Sequence, residues 1–433
     1  MYTASGVEVK QTEIRRDGES KNLFLLTSGN AVSMIGSGVY LVVIVLYLKE
    51  MTNSPLILGV FNVLAVLPMV LLGPFAGAIV DRVSRKRVVI VADLLRAVIM
   101  AGMAAAAIAL PWLPVPFVLL ATIAISLCNA FFMPALQAII PELVSRAAVR
   151  RANSLRAASS TSGNLLGNAL GGIAYSVLGL PLVLLVNAFS FALSAWEERY
   201  LKTSPNQREK NAEPAGIRPI MAEAAAGLVS VWASPGVRLL VVINATVYAL
   251  SPPLVLSLPF IVEDILHLPV AYVGYYLATL LGGGILFFLI AGRAAINPDG
   301  ERVIFLGAPL LLALAMGVTA LFLQPVILFV TFFLSGGAVA VLNLAVNTTL
   351  HRNVNAGSHG RVFSVLESVS GAGLPLSYGA SGLLLELVLP DVSILFFSVS
   401  ILLISVAVVA GMSTHLRALF HNPAGFADAD CQD

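Results

Sequence analysis

Charge is what this chain has least of. Asp, Glu, Lys and Arg together make up 11% of its 433 residues, while 58% are hydrophobic. A water-soluble globule of this length needs far more charge to cover its surface, so most side chains here must face lipid or other helices. The formal net charge of +2 is too small for a nucleic-acid binder. Only two cysteines occur, Cys128 in an apolar run and Cys431 near the end, too few for a disulfide framework, and nothing resembles a metal cluster. There is no P-loop of the form G-x-x-x-x-G-K-[ST], no selectivity-filter run and no intramembrane His/Asp cluster, which argues against ATP-driven work by this chain alone, a channel or a membrane enzyme. The first 21 residues are polar, with no apolar h-region and no small-residue cleavage site, so the first hydrophobic run is expected to remain as a span.

What the chain does have is apolar runs of membrane-crossing length. They cover 23–48, 56–80, 88–110, 115–140, 154–178, 181–199, 237–262, 270–292, 302–323, 326–350, 362–386 and 392–414. The mean hydropathy of +0.92 follows from them. The gaps alternate in character. Those after the odd-numbered runs hold one Lys (Lys49) and no Arg, with Glu50, Glu263, Asp264, Glu386 and Asp391. The other gaps, the adjoining run ends and both tails hold 23 of the 25 Lys and Arg, and Arg96 alone lies inside a run. The positive-inside rule then puts both termini in the cytoplasm, which requires an even number of spans, and twelve fits.

One long hydrophilic gap, Lys202-Thr-Ser-Pro-Asn-Gln-Arg-Glu-Lys210 and onward, divides the runs into six and six. The expected organisation is a tail (1–22), a six-helix bundle (23–199), a cytoplasmic linker (200–236), a second bundle (237–414) and a tail (415–433). The halves echo each other weakly. Arg151-Ala-Asn-Ser-Leu155 corresponds to Arg361-Val-Phe-Ser-Val365, and the Gly-rich stretch 163–172 to 371–382. The fold class expected is therefore an all-α membrane protein of twelve transmembrane helices in two pseudo-symmetric six-helix bundles, rocking about a cavity between them.

Between the second and third runs the chain reads Gly77-Ala-Ile-Val-Asp81-Arg82-Val-Ser84-Arg85-Lys86-Arg-Val-Val89. This resembles the signature loop of the major facilitator superfamily, G-x-L-x-D-R-x-G-R-K-x-x-L, with Ser84 in place of the second Gly. Gly77 would let two helices approach closely. Asp81 would sit at a helix N-terminus of the opposite half, and Arg82, Arg85 and Lys86 would pair with carboxylates or helix C-termini. In the fifth run, Gly163-Asn-Leu-Leu-Gly167-Asn168-Ala-Leu-Gly171-Gly172 resembles the antiporter motif of exporters in that superfamily, G-x-x-x-G-P-x-x-G-G, with Asn168 for Pro. The same glycines also fit ordinary small-xxx-small helix packing. Shorter patterns resemble the branch of enterobactin exporters and macrolide-efflux proteins: Ser28-Gly-Asn30 to Gly36, Leu67-Pro68, Gly73-Pro74, Ala92-Asp93-Leu-Leu-Arg96, Phe131-Phe-Met-Pro134 and Ile140-Pro141-Glu142-Leu143.

Ionisable residues inside a span are costly and count as functional candidates. Asp93 and Arg96 can pair at i, i+3, or Arg96 can snorkel to the nearby surface. Their role is either structural or proton coupling. Glu142 and Arg156 are read as members of the ion-pair network of the signature loop. Glu367, about two turns beyond Arg361 in the eleventh run, is the candidate proton carrier or, alternatively, a gate partner of Arg361. Neutral polar residues at helical spacing could line a cavity or hydrogen-bond between helices. These are Asn30, Ser33, Ser37 and Tyr40, then Asn129, Met133 and Gln137, then Asn244 and Tyr248, and finally Asn343 and Asn347.

The resemblance implies a transporter, not an enzyme. It would act as a monomer in the inner membrane of a bacterium, with no cofactor and the proton gradient as energy source. Its partners would be the lipid bilayer and a small-molecule substrate. Walls with Met and Tyr and little charge suit efflux of a bulky amphipathic compound, drug-like or siderophore-like. An importer, facilitator or lipid flippase on the same fold is the alternative.

Overall fold

The computed structural model of the chain describes residues 4–80, 82–145, 147–203, 227–294, 297–354, 359–388 and 391–421, without the side chains of 4–18, 74, 78, 359–361, 364, 388 and 421. All twelve apolar runs fall on helix. The long helices are α1 (Ala4–Thr52), α2 (Pro55–Val80), α3 (Arg85–Ala109), α4 (Val115–Leu143), α5 (Val149–Glu198), α6 (Pro235–Leu250), α7 (Ala271–Arg293), α8 (Pro298–Leu321), α9 (Pro325–Asn353), α10 (His359–Val388) and α11 (Val392–Met412). The chain is an all-α membrane protein. Its helices carry their backbone hydrogen bonds internally, as a lipid environment demands. Their outward faces are apolar: Val98, Phe189, Val326, Leu376 and Met412 are among the most exposed side chains.

Two runs share one helix, and two glycine and proline signals explain where they part. At 50 residues α5 would extend about 75 Å at 1.5 Å per residue, far beyond a hydrocarbon core of about 30 Å. Gly179, with φ 69° and ψ 170°, adopts backbone angles that side chains resist, and Pro181 follows. The helix therefore breaks into two limbs there. The run at 237–262 is not the continuous helix expected from its hydropathy. Ser251-Pro252-Pro253 interrupts it, because two successive prolines supply no amide hydrogen to the turn before. Short turns at Pro252–Leu256 and Leu258–Phe260 and a π turn at Ile261–Ile265 complete it. Other helices begin where proline and a capping side chain allow: Ser234 accepts from Val237 N ahead of Pro235, and Asn297 from Gly300 N ahead of Pro298. The first helix extends back to Ala4, through most of the stretch read as a tail. Residues 204–226 of the linker and 422–433 of the second tail lie outside the described residues.

The chain forms two compact units, residues 1–44 with 71–215, and residues 45–70 with 216–433. The stretch Val45–Val70 thus packs with the second unit. Within the first unit α3 packs on α5 and α4. Val89, Phe132, Ile139 and Leu143 close a core beneath the basic loops. Within the second unit α7 packs on α9, α8 on α9 and α11, and α10 on α6.

Candidate functional site

The loop resembling the superfamily signature ends in two directed cations. Arg85, at the first position of α3, forms an ion pair with Glu142 in the last turn of α4. Lys86 Nζ donates to the carbonyls of Arg199 and Leu201, each at 2.7 Å, and so caps the second limb of α5 where a helix leaves carbonyls unpaired. Arg82 is exposed. Asp81 lies outside the described residues, as does the side chain of Arg361. Among the described residues nothing stands within 4 Å of where a methyl on Gly77 would be, so no close helix approach at Gly77 is seen there. The reason is local: Phe75 and Ile79 beside it are exposed, so this end of α2 has no tight neighbour among the described residues.

The second unit repeats the joint with the charges exchanged. Glu301, in the first turn of α8, pairs with Arg352 in the last turn of α9 at 2.8 Å, and Thr349 Oγ1 donates to Glu301 at 3.4 Å. Sequence reading passed over this pair because acid and base trade places between the halves.

The glycines of the fifth run pack against α1. A methyl on Gly163 would stand 2.8 Å from Met34 Cβ, and one on Gly171 2.5 Å from Val42 Cβ. One on Gly167 would collide with the Ile35 carbonyl oxygen. Gly172 is buried beside them, and Asn168 is half-buried. Higher on the same interface Asn30 donates to Ser160 Oγ at 2.8 Å, Ser159 Oγ at 3.3 Å and the Arg156 carbonyl at 3.5 Å. Its amide nitrogen serves helix pairing. Ser33 and Ser37 donate to carbonyls of their own helix, and Tyr40 is buried. On α4, Asn129 and Met133 are half-buried and Gln137 is exposed. An apolar cavity of about 470 Å³ opens beside this interface, lined by Val32, Ile35, Val39, Leu170 and Ile173, with Asn187 and Ser190 as its polar members.

Deeper in the first unit lies a buried charge cluster. Asp93 and Arg96, which pair at 3.0 Å, are sealed by α4 and α5, so Arg96 does not snorkel as its sequence position had suggested. Its guanidinium lies 3.9 Å from the centroid of Phe132 and 5.2 Å from that of Phe191, close enough for cation–π attraction to both rings. Glu198 is buried as well, with Ser194 Oγ 3.4 Å from its Oε1. The sequence reading had not singled out Glu198.

In the second unit several polar residues converge. Asn343 donates to the Tyr248 hydroxyl, joining α9 to α6, and Asn347 donates to the Asn343 carbonyl at 2.8 Å. Asn244 donates to Ser370 Oγ at 2.9 Å, joining α6 to α10. Glu367 is exposed on α10 and is an electrostatic neighbour of Tyr248.

The sequence profile of the Major Facilitator Superfamily matches residues 26–378. The chain belongs to that superfamily. Macrolide efflux protein A of Streptococcus pyogenes is 24% identical over 413 residues, covering 92% of this chain and 96% of that one. The multidrug efflux pump Tap of Mycolicibacterium fortuitum is 28% identical over 420 residues, covering 92% and 97%. Among solved structures, the nucleoside transporter NupG superposes with a TM-score of 0.72 at 13% identity, over 92% of this chain and 99% of that one. A bacterial homologue of the iron transporter ferroportin, in an inward-facing state, gives 0.68 at 16% identity over 90% and 99%. These two likenesses establish the fold. This member of the superfamily is a membrane transporter with efflux pumps among its relatives, and not an enzyme.

Proposed function

We propose that the protein exports a bulky amphipathic small molecule, macrolide-like or otherwise drug-like, from a bacterial cell by alternating access driven by the proton gradient. It would sit in the inner membrane with both termini in the cytoplasm. The observation that carries this reading is the alignment along nine-tenths of the chain with a macrolide exporter and a multidrug pump. The chemistry of the second unit supports it. Tyr248, Asn343 and Asn347 offer a wall of neutral hydrogen-bonding groups, and such a wall binds amphipathic molecules of varied shape without demanding a matching charge. Glu367, exposed and an electrostatic neighbour of Tyr248, is the carboxylate to which this reading assigns proton exchange as access alternates.

Reconstituted vesicles test the reading. An imposed pH gradient should drive uphill movement of a macrolide or a lipophilic dye, and a protonophore should abolish it. Glu367→Gln should lose uphill transport and keep downhill exchange. Uphill transport indifferent to the pH gradient would overturn proton coupling. Transport of neither compound would overturn the substrate class.

A further inference from the structure

The ion-pair cluster on α3 and α5 has one more negative charge than positive. Asp93 is 0% exposed, Arg96 1% and Glu198 4%. Fully ionised, they would place two carboxylates around one guanidinium in a low-dielectric interior. The groups packed around them do not restore the balance. From α4 come Phe132 and the Cys128 thiol, and from α5 Phe191, the Ser194 hydroxyl and Glu197, a further acid that accepts from Ser28 Oγ at 3.1 Å. Lys86 is close in sequence to the cluster but is engaged on the Arg199 and Leu201 carbonyls. No other cation among the described residues faces the cluster.

An uncompensated charge is strongly disfavoured in such a setting, and two carboxylates sharing one site do not both ionise. The local geometry shows the shortfall directly. Arg96 meets Asp93 through a single nitrogen, its Nε and Nη2 find no acceptor, and Glu198 Oε2 finds no donor. Buried polar atoms are rarely left in this condition.

We infer that Asp93 and Glu198 hold one proton between them across Arg96, forming a protonation site inside the first unit. With the proton on Glu198, Asp93 and Arg96 form a neutral pair and Glu198 is a neutral hydrogen-bonding acid. Loss of that proton, Glu198 carboxyl to carboxylate plus free proton, leaves Arg96 to be shared by both carboxylates. Arg96 lies over Phe132 and can slide across the ring toward either acid without losing that contact. Proton occupancy would then set whether α3 is tied to the second limb of α5 by charge. The coupling role of this site rests on the proton-driven reading above; the protonation itself does not.

Infrared spectroscopy of the purified full-length protein separates the two. The wild type should show a protonated-carboxyl stretch at neutral pH that shifts in deuterium oxide. Glu198→Gln and Asp93→Asn should each remove that band, whereas Glu367→Gln should not. Because Gln mimics the neutral acid, Glu198→Gln should fold, and its melting temperature should vary less with pH than that of the wild type. If either variant fails to fold, Glu198→Asp should restore both band and pH dependence. A band that survives both Glu198→Gln and Asp93→Asn, or no band in the wild type, overturns the inference, even if pH-driven transport is intact. A band that both substitutions remove, in a protein whose transport ignores the pH gradient, upholds the site and overturns the proton-driven reading.

Discussion

Lys49 Nζ lies 2.6 Å from Glu263 Oε2, and the adjacent Asp264 Oδ1 is equally near. The one lysine on the otherwise acidic side of the chain is therefore committed to the π turn after α6. Its side chain is 9% exposed, and the acids are 32% and 44% exposed. Lys49→Met should destabilise the protein by about 1–3 kcal/mol, between the ranges for exposed and buried pairs whose partner is removed. Adding Glu263→Gln and Asp264→Asn should cost less than the sum of the separate effects, because the stranded acids are then neutral. Thermal unfolding in detergent measures the cycle. Additive losses would mean that the contact contributes nothing.

Gly167 permits contact with α1 that no larger residue allows. Gly167→Val should destabilise by about 1–3 kcal/mol, the usual cost of overpacking. Gly102, with open space around it, should accept Ala without loss. Equal tolerance at both positions, read by monodispersity and melting temperature, would show that the small-residue stripe does not set the α1–α5 distance.

The contrast between Gly77 and Gly167 shows what the sequence could and could not convey. Both sit in small-residue patterns that permit close packing, but permission is not a neighbour; only the tertiary arrangement supplies one. The twelve spans and the break at Gly179 were legible because bilayer thickness and backbone sterics act locally. Glu198 was not. It stands between Glu197 and Arg199 at the end of a run, where a charge normally meets solvent, and it is buried because α3 packs against that limb. The pairing of Glu301 with Arg352 was hidden for another reason, since a repeat detected by residue identity overlooks positions whose charges are exchanged.

Tyr248 and Asn343 couple α6 to α9 through one hydrogen bond. Tyr248→Phe removes the acceptor and leaves the Asn343 amide group seeking another. A hydrogen bond of this kind is worth about 0.5–1.5 kcal/mol, or roughly a 2–13-fold change in an equilibrium. If these residues face the substrate, the variant should change efflux of some compounds and spare others across a panel of macrolides and dyes. A uniform loss for every compound, with a lowered melting temperature, would make the pair structural.

The segregation of basic residues predicts an orientation, and two exposed positions would report it. Trp112, in the gap after the third span, and Lys202, after the sixth, should lie on opposite sides of the membrane. Lys and Arg resist translocation and accumulate on the cytoplasmic side, so Lys202 is expected inside the cell and Trp112 outside. In a background where Cys128 and Cys431 are replaced by Ser, Trp112→Cys should react in intact cells with a membrane-impermeant maleimide. Lys202→Cys should react only after the cells are opened. Three crossings, the fourth span to the sixth, separate the two sites. If α5 crossed once instead of twice, both cysteines would be on the same side and would label alike. The pair of positions therefore tests the break at Gly179 together with the orientation. Labelling of both in intact cells would remove the twelve-span arrangement, and labelling of Lys202→Cys alone would invert it.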